Sequence, residues 1–228
     1  MLPIKDENPS YRRPWVNYTL ITLNILVFFY ELSLGRELNR FIFRYGVIPV
    51  EIIHGRGWLT IFTSMFLHGG WMHIFGNMLY LWIFGDNVED SIGHFKYLIF
   101  YLISGVAAAL TQVLVNPTSH IPLIGASGAI SGVLGAYFVL YPRARVLTLI
   151  PDPFTFGLFL RIVKIPAFFV LGFWFIIQFF YGLASLPYQG RTGGVAFFAH
   201  IGGFVFGMIA IKFFNPRKHY HYWYWNRF

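Results

Sequence analysis

Between residues 97 and 115 the chain carries no charged side chain. Comparable apolar runs recur at 15–34, 71–84, 123–141, 165–186 and 195–214, each with at most one charge. A hydrocarbon core of about 30 Å is crossed by roughly 20 apolar residues in helical conformation. Within lipid every backbone amide must find its partner inside the chain, which leaves helices or closed barrels as the spanning structures. Six helix-length runs therefore predict an all-α polytopic membrane protein. The composition agrees, with 57% hydrophobic residues and only 11% charged.

The remaining segments fit that plan. Residues 1–14 are polar, with Lys5, Arg12 and Arg13 ahead of the first run. The connection 35–70 holds only short apolar pieces around Phe41 and Trp58, which suit the membrane interface. The acidic residues Asp86, Glu89 and Asp90 read as a turn closing the second run. Prolines 142, 151 and 153 break up residues 142–164, which read as an interfacial connection. The domain plan is thus a cytoplasmic segment 1–14, a six-span membrane unit 15–214, and a basic, aromatic cytoplasmic tail 215–228. No small-x-small cleavage site follows the first run, so it is expected to remain as a span.

The net charge is +8, but five of the 17 Lys and Arg residues alone (Arg36, Arg40, Arg44, Arg56 and Arg191) fall outside cytoplasmic segments or span ends. That distribution predicts a topology with both termini cytoplasmic. It does not describe a phosphate-binding surface, and nucleic acid is not an expected partner. The chain has no cysteine, which excludes a thiol nucleophile, a thiolate metal site and a disulfide framework.

With a cytoplasmic start, runs two, four and six begin on the external face. His73 and Asn77 lie early in run two, Ser127 early in run four and His200 early in run six. At 1.5 Å rise per residue all four sit roughly 3 to 10 Å below the external helix ends. His73 and Asn77, four apart, share a helix face, as do Ser127 and Ser131. Close approach of backbones is favoured by small residues, here Gly125, Gly128, Gly203 and Gly207. Small-residue contact between helices could by itself account for both serines.

The chemical reading is sharper. A serine hydroxyl becomes a useful nucleophile when a base takes its proton, and imidazole is the natural base near neutral pH. Acyl transfer also needs donors for the developing oxyanion, which His73, Asn77 and the Ser127 amide are able to supply. No carboxylate lies in runs two, four or six at that depth, so a Ser127–His200 dyad is expected rather than a triad. A metal on His68, His73 and His200 would lack both a His-Glu-x-x-His motif and a nearby carboxylate, so neither metal nor cofactor is expected. A transporter would place ionisable groups near the midplane, and the runs hold none there.

His68-x4-His73-x3-Asn77, then Gly125-Ala126-Ser127-Gly128, then Ala199-His200-x2-Gly203-x3-Gly207 together resemble the rhomboid family of intramembrane serine proteases, in its six-span bacterial form. The resemblance implies hydrolysis of peptide bonds in or beside the transmembrane segments of other membrane proteins, with the lipid bilayer of a prokaryotic cytoplasmic membrane as the medium. It makes Ser127 the nucleophile, His200 the base, and His73, Asn77 and the Ser127 amide the oxyanion hole. It implies a movable gate at residues 165–186 and 187–194, including Gly190, Gly193 and Gly194. It also implies a preference for a small residue at the cut with helix-destabilising residues nearby. Many bacterial relatives place an aromatic residue four after the nucleophile, against the histidine, where this chain has Ser131. Some carry Trp-Arg in the first loop, where Leu59 follows Trp58. The alternative is a catalytically silent relative that binds membrane helices for trafficking or quality control, and intact Ser127 and His200 favour the enzyme.

Overall fold

The computed structural model describes residues 1–152, 155, 159–188 and 194–217. Most of the expected gate loop and, from residue 218, the expected tail lie outside the described residues.

A short strand β1 (Leu2–Asp6) precedes the long helix α1 (Trp15–Ser33). Three short helices, α2 (Leu38–Tyr45), α3 (Pro49–Ile53) and α4 (Thr60–Thr63), fold the long connection against the bundle. The helices α5 (Trp71–Ile92), α6 (His94–Val115) and α7 (Ser127–Leu140) follow. Strands β2 (Arg145–Pro151) and β3 (Leu160–Pro166) then lead into α8 (Ala167–Ser185) and α9 (Phe197–Ala210). Four helical segments, α1, α6, α8 and Phe197–Phe214, are long and apolar enough to cross a membrane, and α7 is a shorter apolar helix. Outward residues such as Leu26, Phe29, Phe169 and Phe180 are exposed, as expected of surfaces solvated by lipid.

The short helix α7 is the centre of the molecule. Its residues from Ala129 to Tyr137 are all buried, enclosed by α5, α6 and α9. Lipid gives helices no hydrophobic reason to associate, so close backbone contact must supply the attraction. Gly128 and Gly132 of α7 face Gly203 and Gly207 of α9, and a Cβ on Gly203 or Gly207 would intrude on the carbonyls of Gly128 and Gly132. On the other side, a Cβ on Gly128 would meet Ala108 of α6 at 2.7 Å.

Helix α5 runs past the expected acidic turn and makes Asp86, Glu89 and Asp90 helical. Glu89 is buried where it accepts the Val16 and Asn17 amides at 3.0 and 2.7 Å. Those amides begin α1 and have no partner inside their own helix, and the positive end of its dipole favours a carboxylate. The helix stops only at Gly93, whose φ of +85° is one that L side chains rarely adopt.

The all-α expectation needs a correction. Strands β1, β2 and β3 form an antiparallel sheet in that order, with Leu2 opposite Leu149 and Arg145 opposite Pro166. The segment expected to be a proline-broken interfacial connection is thus a hairpin, and the polar N-terminal segment supplies its third strand. Alternation places Val146 and Thr148 on the buried face, while Leu160 and Ile162 lie exposed on the other. Lys164 pairs with Glu7 across the sheet.

Asp6 lies on the buried side, and its carboxyl accepts the Tyr137 hydroxyl at 2.6 Å. Burial pushes this carboxyl up from the ordinary 3.8 to about 7, against the lowering effect of the Tyr137 bond, and the nearby Asp86 adds to the rise. A carboxyl that is neutral when docked and ionised when released stabilises docking fully at pH below the ordinary value. That contribution is lost as pH climbs through about 7. Amide exchange in β1 is therefore expected to be slower at about pH 5 than at about pH 8 once corrected for intrinsic rates, and Asp6→Asn is expected to remove the difference. Equal protection of the native strand at both pH values would refute this coupling.

Candidate active site

Gly125 has φ +120°, its amide donates to the Ser64 carbonyl at 2.9 Å, and helix begins only two residues later. Ser127 is therefore the first residue of α7, rather than a full turn into a helix starting near residue 123. Leu123 instead forms an isolated bridge with Val47. A Cβ at residue 125 would come within 2.6 Å of His73 Nε2, so the same glycine admits both the backbone turn and the imidazole.

The structure brings together all four residues singled out in the sequence. His73 and Asn77 come from the first two turns of α5, and His200 from the first turn of α9. With Ser127 they line a cavity of about 670 Å³ that Ser131 and Trp174 also border. His200 Nε2 lies 2.8 Å from Ser127 Oγ. A helix start presents amides with no intrahelical acceptor, and Ser127 sits at such a start.

The ring states can be read from their partners. His73 Nδ1 accepts the Gly69 amide at 3.2 Å, which leaves Nε2 to carry the hydrogen beside Gly125 and Ser127. His73 is thereby a neutral donor aimed at the cavity. Asn77 Nδ2 is buried without a hydrogen-bond partner, and an unmet buried donor favours an incoming acceptor. Ser131 Oγ donates to the Ser127 carbonyl at 2.6 Å, a local helix bond, so the second serine is spoken for.

Two residues that bear on His200 are missing from the sequence reading. Gln178 Oε1 lies 2.8 Å from His200 Nδ1, and the Trp174 ring sits 5.9 Å from the imidazole at 35°. Both come from α8, four residues apart on one face. Trp174 puts an aromatic ring beside the histidine although residue 131 is serine. In addition, Gln112 of α6 accepts the Ala199 amide at 3.2 Å and holds the first turn of α9. The available signal was an amide inside an apolar span, a costly group that wants a partner. His68 stays outside the reacting group, its ring 5.2 Å from His73 and its amide donating to both oxygens of the buried Glu31 at 3.2 and 3.1 Å.

Residues 55–217 match the family of the Rhomboid domain. The chain is 31% identical over 195 residues to Rhomboid protease GluP of Bacillus subtilis, covering 84% of this chain and 34% of that one. It is 27% identical to mitochondrial Rhomboid protein 1 of Saccharomyces cerevisiae, covering 84% and 51%. It is 28% identical to Rhomboid protease AarA of Providencia stuartii, covering 84% and 69%. The chain thus spans about a third and about half the length of the first two relatives. With a domain match over most of its length, this integral membrane chain belongs to the rhomboid family.

Proposed function

We propose that the chain is an intramembrane serine endopeptidase that cuts other membrane proteins in or beside their transmembrane segments. The observation that carries this reading is the 2.8 Å contact between Ser127 Oγ and His200 Nε2 inside a cavity that also holds the unmet Asn77 Nδ2 donor. As Ser127 Oγ attacks the scissile carbonyl carbon, its proton passes to His200 Nε2 and a C–O bond forms. The oxyanion accepts from His73 Nε2–H, Asn77 Nδ2 and the Ser127 amide. Collapse breaks the C–N bond, and the leaving amine takes the proton back from His200. Water, activated by the same imidazole, then hydrolyses the ester and restores the serine. Donors placed in advance for the oxyanion need no reorganisation as its charge develops.

The membrane arrangement is part of the proposal. Helices α5 and α7 join the four candidate membrane-spanning segments to make six crossings, with both termini in the cytoplasm and the cavity near the outer surface. The Lys and Arg distribution supports that orientation.

The test is reaction of the purified, reconstituted protein with a fluorophosphonate and with a single-span test substrate. Labelling confined to Ser127 together with substrate cleavage is expected. Binding of the substrate with neither labelling nor cleavage would instead make the chain a silent helix-binding member of its family.

A further inference from the structure

Proton transfer from Ser127 needs a lone pair on His200 Nε2, so the other ring nitrogen must carry the hydrogen. The imidazole alone does not enforce this, because its two neutral tautomers differ little in energy. Gln178 Oε1, 2.8 Å from Nδ1, is an acceptor and rewards the tautomer with hydrogen there. Were the amide reversed, its NH₂ group would require a bare Nδ1. The hydrogen would then sit on Nε2 facing Ser127, and the base would be lost. One amide orientation therefore assembles the site and the other disables it.

We infer that Gln178 is a positioning residue that completes a Ser127–His200–Gln178 array. This rests on the proposed dyad and extends it. The choice of glutamine is understandable from its place in the chain. It lies in α8, among exposed Phe173, Ile176, Phe179 and Phe180, where a carboxylate would be costly in lipid and a neutral amide much less so. Trp174, one turn earlier, limits the ring's rotation from the same helix. His73 and Tyr80 are the other titratable groups lining this cavity among the described residues, and no carboxylate is among them.

A second consequence concerns α8. It is the least buried of the four long apolar segments and lies chiefly against α9. Because it carries both Gln178 and Trp174, outward movement of α8 strips His200 of its acceptor and its ring contact together. Base strength toward Ser127 is thereby tied to the position of α8.

The experiment compares the native full chain with Gln178→Leu and Gln178→Glu, reading cleavage kinetics across pH, phosphonate labelling and thermal stability. Gln178→Leu is expected to lower kcat on the order of 10²-fold with KM little changed, the scale of loss from a misplaced reacting group. Gln178→Glu keeps an acceptor without a reversible amide. It is expected to retain activity within a few-fold and to move the acid limb of the pH profile upward, because a carboxylate stabilises the imidazolium. A merely structural role would move neither the limb nor the split between kcat and KM. The inference is overturned if Gln178→Leu matches the native kcat and profile. It is overturned equally if Gln178→Glu folds but is as inactive as an unfolded Gln178→Leu. If native protein is neither labelled nor active, the dyad itself fails, a result separable from either variant.

Discussion

Ser127→Ala and His200→Ala are each expected to abolish cleavage of a single-span substrate while leaving the thermal transition nearly in place. In soluble serine hydrolases, removing the nucleophile or its base costs on the order of 10⁶-fold in kcat. The losses are grossly non-additive, because the two groups act as one unit. The double variant should therefore be no slower than either single one. The 2.8 Å contact makes the same demand here, since without the imidazole the hydroxyl keeps its proton and without the hydroxyl the imidazole has nothing to activate. Initial rates for the three variants, measured at one lipid composition, decide the matter. Losses that multiply, or a Ser127→Ala protein that still cuts, would refute the assignment.

The second large effect is on stability. Gly207→Val is expected to force α9 away from α7, because a Cβ there would intrude on the Gly132 carbonyl and crowd its Cα, which lies 2.7 Å away. Backbone cannot rotate aside as a side chain can, so the cost should lie at or above the upper end of the ~1–3 kcal/mol typical of over-packing. Moving α9 also carries His200 away from Ser127, so activity should fall with the transition temperature. Gly172→Ala is the control, since its nearest neighbour, Phe138, would be 3.8 Å from the new methyl. It should be neutral or slightly stabilising through reduced chain entropy. A Gly207→Val protein as stable as the native one would mean that the two helices are not held at this spacing.

These two experiments touch the parts of the molecule that were most legible in the sequence. His73, Asn77, Ser127 and His200 could be placed at one depth because each follows closely on the start of an apolar run, and helix rise is fixed. The glycines of α7 and α9 announced close approach by their spacing. Gln178 is not legible because no carboxylate marks an orienting group in the apolar runs, although an amide supplies the same acceptor. The sheet escaped for a different reason. Residues 145–151 and 160–166 lack a clean apolar–polar alternation, the prolines at 142, 151 and 153 suggest breaks, and the third strand lies at the far end of the chain. Pairing between residues so distant leaves no local pattern. The acidic residues of α5 looked like a turn because their partners, the first amides of α1, are likewise distant in sequence.

The pairing of β1 with β2 imposes a rule of parity on the membrane topology. Residues 2–6 bond to residues 146–149, so both segments lie on one side of the bilayer. The chain between them must then cross an even number of times, whatever its hydropathy suggests. The Arg217 amide donates to the Ser91 carbonyl at 2.8 Å, in the last turn of α5, where Tyr11 also donates to Asp90 at 2.9 Å. The chain returns to its starting side once more, so an even number of crossings also separates residues 166 and 217. An inserted chain with an odd count in either interval could not close these bonds. The small sheet and its neighbours thus act as a checksum on insertion, independent of the basic residues that decide which side is the cytoplasm.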